Sequence, residues 1–149
     1  MKEIIITKSA EETQEVGKLL AAELRGGEVI SLLGDLGGGK TTFTQGLAAG
    51  LGVKEVITSP TFTIMKRYPV EHDTIKNLYH LDLYRLSDAQ ELADLGFIDI
   101  ASDPKNVVVI EWANKAKEII PRENNLQIRF GWLGKDKRKI TFSVYSRSE

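Results

Sequence analysis

Residues 34–43 read GDLGGGKTTF, and the reading of this stretch decides the fold. Gly34, Gly39, Lys40 and Thr41 occupy every fixed position of the Walker A pattern G-x-x-x-x-G-K-[ST]. The glycines let backbone N–H groups curl inward around phosphates with no side chain in the way. A lysine at this spacing reaches the β and γ oxygens of a nucleoside triphosphate, and the hydroxyl that follows it is placed to meet Mg²⁺. A helix starting here points its positive end at the same phosphates. The flanks have the required character. Glu28–Leu33 (EVISLL) reads as a strand, and Thr41–Leu51 reads as a helix closed by Gly52.

Upstream of this motif, Lys2–Thr7 is a β-branched run with the character of a short strand. Ser9–Glu12 fits a capping box, in which a hydroxyl and a carboxylate satisfy each other's backbone N–H groups. Val16, Leu19, Leu20 and Leu24 follow at helical spacing up to Gly26-Gly27. Downstream, Thr58–Thr61 is a turn that opens an alternating stretch to Tyr68, and a strand follows an exposed tip at Glu71–Thr74, spanning Asn77–Leu83. Ser87–Gln90 can cap a short helix that ends before Gly96. Val107–Ile110 is an unbroken apolar run, the mark of a strand buried on both faces of a parallel sheet. Pro121 ends a weak helix, and strands Leu126–Phe130 and Lys139–Tyr145 flank a turn at Gly134-Lys-Asp. The expected architecture is α/β: a P-loop NTPase-like three-layer fold, with a parallel central sheet flanked by antiparallel edge strands. Length points to one domain over residues 1–149, large enough for one core.

Composition narrows the function. Apolar residues make up 42% and charged residues 28%, the balance of a folded globular chain. A net charge of −1 supplies no global field toward nucleic acid or a membrane. The charge is uneven, however: residues 113–149 hold nine Lys/Arg and four acids, leaving this part at +5 and the rest at −6. The chain has no cysteine, which excludes thiol catalysis and Cys-ligated metal sites. The N-terminal MKEIIITKSAEET has three consecutive apolar residues, short of a signal-peptide core, and no run is long enough to span a membrane. A cytoplasmic location is expected.

Hydrolysis on such a loop needs a carboxylate near Mg²⁺ and a group that orients the nucleophile. Glu111 ends the run VVVI at the carboxyl end of a strand, where open α/β sheets place their ligands. A charge abutting four buried apolar residues is costly unless it has a task. Asp82 lies in YHLDLYRL, where His80, Asp82 and Tyr84 share one face and Leu81 and Leu83 the other. Its alternative reading is a solvent-facing acid at a strand end. Thr61, in TSPTFTI, stands where many nucleotide switches carry a γ-phosphate-sensing threonine, although threonine is also common in strands. Two histidines are too few for a histidine-based metal site, and His80 reads as structural. Trp112 can stack on a ligand or simply pack. A guanine reader would need Asn-Lys-x-Asp; Asn114-Lys-Ala-Lys117 puts lysine where the carboxylate belongs, which favours adenine.

Together, SAEET (9–13), GDLGGGKTTF (34–43), SPTFTI (59–64), YHLDLYRL (79–86) and IEW (110–112) resemble the TsaE family, also called YjeE, in order and spacing. The resemblance runs from Ile4 to about Phe130. It implies a small ATPase of bacterial tRNA threonylcarbamoyladenosine modification that works with the transferase pair TsaB and TsaD, meets tRNA through that complex, and hydrolyses ATP to keep the cycle turning over. It implies that Leu36, Gly37, Gly38, Gly39, Lys40, Thr41 and Thr42 bind the nucleotide, with Thr41 a magnesium ligand. It makes Asp82 the Walker-B-like acid and Glu111 a second magnesium-site carboxylate, so that Lys40, Asp82 and Glu111 form the catalytic set. Thr61 becomes a switch residue, Trp112 a near-site aromatic, and Ser9 and Glu11 neighbours of the nucleotide. Two positions depart from the family pattern: Gly38 stands where alanine is usual, and Ala113 where proline commonly follows the tryptophan. Two other functions fit the same loop. One is a small-molecule kinase, for which Arg67 and Arg85 are available but no lid segment is evident; the other is an assembly factor gated by nucleotide binding.

Overall fold

The computed structural model describes residues 2–34, 39–58 and 64–144. Its strands are β1 (Lys2–Thr7), β2 (Val29–Gly34), β3 (Met65–Pro69), β4 (Asn77–Asp82), β5 (Asn106–Glu111), β6 (Asn125–Gly134) and β7 (Lys137–Val144). The helices are α1 (Ala10–Ala21), α2 (Lys40–Leu51), α3 (Ala89–Asp94) and α4 (Phe97–Ser102), and a 3₁₀ turn covers Ala113–Ala116. All seven strands join one sheet in the order β1-β7-β6-β2-β5-β4-β3. The central strands β6, β2, β5 and β4 are parallel, whereas β7, β1 and β3 pair antiparallel at the two sides. This is the expected arrangement of a parallel centre with antiparallel edges.

Side-chain alternation divides the core between the two faces of the sheet. Ile30, Leu32, Leu78, Val107, Val109, Ile128 and Phe130 pack with Val16, Phe43 and Leu47 of α1 and α2. Val29, Leu81, Val108 and Ile110 pack on the other face with Leu92, Phe97, Ala101, Ala113 and Ala116. Every residue of β5 is buried, as its apolar run requires of a strand covered on both sides.

Helix α1 begins at Ser9, whose hydroxyl accepts from the Glu12 amide at 3.1 Å. The Glu12 carboxylate accepts from the amide of Lys8 at 2.8 Å, one residue before the position a capping box assigns. The helix buries Thr13, Val16, Gly17 and Ala21, while Leu19 is 62% exposed. Leu19 therefore lies off the apolar face that its spacing suggested. The buried stripe is made of small residues because α2 approaches too closely for leucine. A side chain on Gly17 would collide with the Phe43 carbonyl, and one on Gly46 with the Gln14 carbonyl. Leu24 is buried although the helix has already ended. The strand expected to run to Leu83 stops at Asp82, and α4 is an additional short helix after Gly96.

Because α1 and α2 meet backbone to backbone, Gly46→Ala should lower stability. The gain in helix propensity, about 1 kcal/mol, opposes an overpacking penalty of roughly 1–3 kcal/mol, and here the colliding atom is a carbonyl that cannot swing aside. Urea unfolding monitored by circular dichroism should give a lower midpoint than wild type, and an unchanged or higher midpoint would show that the helices can separate without penalty.

Candidate functional site

The carboxyl ends of β2, β5 and β4 lie in one row: Leu32 is opposite Glu111, and Glu111 is opposite Asp82. Val107 and Val109 point toward α1 and α2, so alternation brings Glu111 out on that same face. Leu78 shares the face, and His80 and Asp82 follow it at two-residue steps. Both sequence-identified acids therefore emerge beside the start of α2, at the edge of the sheet where open α/β folds bind ligands.

Lys40 is the first residue of α2 and is buried. Its Nζ donates to the Gly34 carbonyl at 3.3 Å and stands 4.5 Å from the centre of the Trp112 ring. Gly39 precedes the helix with φ 100°, a left-handed value, and no side chain caps the helix start. Thr41 and Thr42 follow in the first turn, both half-buried. Asp35, Leu36, Gly37, Gly38 and Thr61 lie outside the described residues.

Glu111 is 5% exposed and His80 0%. The His80 Nε2 is 2.7 Å from the Glu111 Oε2, a buried contact between adjacent strands. Asp82, half-buried, accepts the Tyr84 amide at 3.0 Å. Burial raises the pKa of the Asp82 carboxyl from its ordinary value, and the Glu111 charge adds to the rise. The Tyr84 N–H, His80 and Lys40 act in the opposite direction without cancelling it.

Trp112 has a left-handed backbone (φ 59°, ψ 41°), a conformation that costs a non-glycine residue roughly 1–2 kcal/mol. This turns the chain out of β5 into the 3₁₀ turn and lays the indole between Lys40 and Tyr84, whose ring centre is 5.1 Å away. Tyr84 thus belongs with Trp112, beyond the end of β4, and not on the strand face of His80 and Asp82. On the Trp112 side, a cavity of about 410 Å³ is lined by Gly34, Lys40, Trp112, Asn114, Lys117 and Arg129. On the other side, Ser9, Thr13, Gly39, Thr42, Asp136 and Arg138 surround a smaller one of about 50 Å³. Ser9 is thereby brought beside Gly39 and Thr42, whereas Glu11 is exposed and does not line this cavity.

Two neighbouring carboxyl groups offer the hard oxygen donors that could hold Mg²⁺, and the charge of such an ion would offset the repulsion between them. Among the described residues no group of three or more acidic, histidine or cysteine side chains forms a metal cage.

With this geometry in place, comparison with known proteins identifies the relatives. Residues 7–140 match the family described as "Threonylcarbamoyl adenosine biosynthesis protein TsaE". The chain belongs to the TsaE family. A relative from Bacillus subtilis, named tRNA threonylcarbamoyladenosine biosynthesis protein TsaE, is 46% identical over 93% of this chain and 83% of its own length. One of the same name from Treponema pallidum is 38% identical over 91% and 96%. The crystal structure of Bacillus subtilis YdiB superposes with a TM-score of 0.76 at 36% identity, covering 99% of this chain and 88% of that one. The fold is that of a TsaE protein.

Sequence reasoning passed over two members of the site of this TsaE-family chain. His80 reads as a core residue until β4 and β5 are placed in register, and Arg138 is brought to Gly39 only by the β6–β7 hairpin. For Arg138 no sequence signal exists. For His80 there was one: it lies two residues before Asp82 on the same strand face.

The direction of the Asp82 shift makes a prediction. With its folded value above the unfolded one, the folded chain holds that proton more tightly, so ionisation removes stability as pH rises through the window between the two values. Asp82→Asn mimics the protonated form and should melt higher than wild type at pH 7 in metal-free buffer. The difference should vanish below the ordinary carboxylate range, where Asp82 is protonated in both states; a variant less stable than wild type at pH 7 would contradict the assignment.

Proposed function

We propose that this chain is the Mg²⁺-dependent ATPase component of a tRNA threonylcarbamoyladenosine modification machinery, acting with TsaB- and TsaD-type subunits and meeting tRNA through them. The observation that carries the reading is the convergence of Lys40, at the start of α2, with Glu111 and Asp82, at the ends of adjacent parallel strands on the same face. The family match supplies the biological context.

In this reading Lys40 leaves the Trp112 ring to meet the β and γ oxygens, and the first amides of α2 face the same phosphates. Leu36, Gly37, Gly38, Gly39 and Thr42 complete the phosphate loop, with Ser9, Glu11, Thr61 and Trp112 around the nucleotide. Thr41, Glu111 and Asp82 hold Mg²⁺ directly or through water. An ion held there would supply charge neutralisation at the phosphate oxygens. One of the two acids orients the attacking water. Among the described residues, His80 meets Glu111 and the Tyr84 amide donates to Asp82, and this reading takes a charge-neutralising arginine to come from a partner subunit. An arginine supplied to such a site contributes about 10³–10⁵-fold, so the isolated chain hydrolyses slowly and assembly speeds it. No described helix is long and apolar enough to cross a membrane, and we place the protein in the cytoplasm with its tRNA substrate.

A second reading, a small-molecule kinase, is favoured by the cavity beside Lys40, whose lining includes Lys117 and Arg129 and no acid. Hydrolysis assays separate the two. ATP turnover by the chain alone should be slow, should rise strongly with TsaB and TsaD, and should lose that rise in Glu111→Ala. Phosphate recovered on an added acceptor, with no partner stimulation, would support the kinase instead.

A further inference from the structure

The His80–Glu111 pair is a contact that stability alone does not explain. His80 is fully buried, and among the described residues its Nδ1 has no hydrogen-bond partner. A buried polar nitrogen left unpaired costs about 1–3 kcal/mol, and a phenyl ring in the same place would fill the space without that cost. What the imidazole provides and a phenyl cannot is the Nε2 contact to Glu111.

The register shows what this contact does. The residue directly across from Glu111 on β4 is Asp82, a second carboxylate on the same face; His80 is the diagonal neighbour, one step deeper in the sheet. Left alone, two adjacent carboxylates repel, and the three-bond side chain of Glu111 would turn away from Asp82. The imidazole holds Oε2 toward the interior, and no described residue bonds to Oε1. For a carboxylate to accept at 2.7 Å, the ring must carry a proton on Nε2.

We propose that His80 is a positioning residue: its Nε2–H pins one oxygen of Glu111 and so aims the other at the Mg²⁺ and phosphate site. The proposal rests on the reading of Glu111 as a magnesium-site carboxylate given above. Groups that hold a metal ligand in place are ordinarily worth 10–100-fold in metal affinity or activity.

The test compares His80→Phe, His80→Gln and Glu111→Gln with wild type in the full chain, with TsaB and TsaD present for turnover. His80→Phe should keep its affinity for ATP in EDTA. It should need about 10–100-fold more Mg²⁺ for half-maximal binding or lose a similar factor in kcat. His80→Gln, whose amide nitrogen can donate to Glu111, should recover most of the loss, a rescue that a merely space-filling role would not produce. If His80→Phe matches wild type in Mg²⁺ dependence and kcat while Glu111→Gln is impaired, the positioning role is wrong. If Glu111→Gln also matches wild type, the magnesium-site reading itself has failed. ¹⁵N NMR of the wild-type imidazole decides the matter independently of folding of the variants: a proton on the His80 Nε2 is required, and a bare Nε2 overturns the proposal.

Discussion

Burying a carboxylate at the end of a strand with no exposed residue costs several kcal/mol unless the charge is paired or hydrogen-bonded, and Glu111 is in that position. Its surroundings follow from this constraint. His80 meets one oxygen from the interior, Asp82 stands across the ladder as a second negative group, and Lys40 approaches from the start of α2. Burial raises the pKa of Asp82, and the Glu111 charge across the ladder adds to the rise. A protein selected for stability alone would place apolar side chains here. Carboxylates held at a cost near a buried lysine mark a candidate functional site.

Placement of the lysine depends on packing far from the chemistry. Helix α2 can lie where Lys40 reaches the sheet edge because Gly17 and Gly46 let α1 and α2 touch backbone to backbone. On the opposite side of the loop, the end of β2 passes so close to β6 that a side chain on Gly34 would strike the Phe130 carbonyl, and its φ of 115° suits glycine. The first glycine of the phosphate motif is thus fixed by the sheet as well as by any ligand.

The parts of this arrangement written in local pattern could be read from the sequence. The run VVVI announced a strand buried on both faces, the glycine-rich stretch announced the strand-to-helix turn, and the strand assignments gave a parallel centre with antiparallel edges. Glu111 stood out as a candidate because an acid after an apolar run has few inexpensive explanations, whereas Asp82 read equally as a solvent-facing acid until the family resemblance favoured it. What depended on non-local geometry was less legible. Leu19 had the right spacing for the core, but closeness of α2 selected small residues in its place. His80 was read as structural, with no partner named, because that partner sits 31 residues away on another strand. Arg138 came to the loop through a hairpin register that no local pattern encodes.

The central claim is that Lys40, Thr41, Asp82 and Glu111 form one site for Mg²⁺ and ATP. A crystal structure of the chain with Mg²⁺ and a non-hydrolysable ATP analogue tests it most directly. The account predicts the ion between the β,γ phosphates and Thr41, with Glu111 and Asp82 bound to it directly or through water, and Lys40 moved from the Trp112 ring onto the phosphates. An analogue bound elsewhere, or an ion that neither carboxylate reaches, would contradict it.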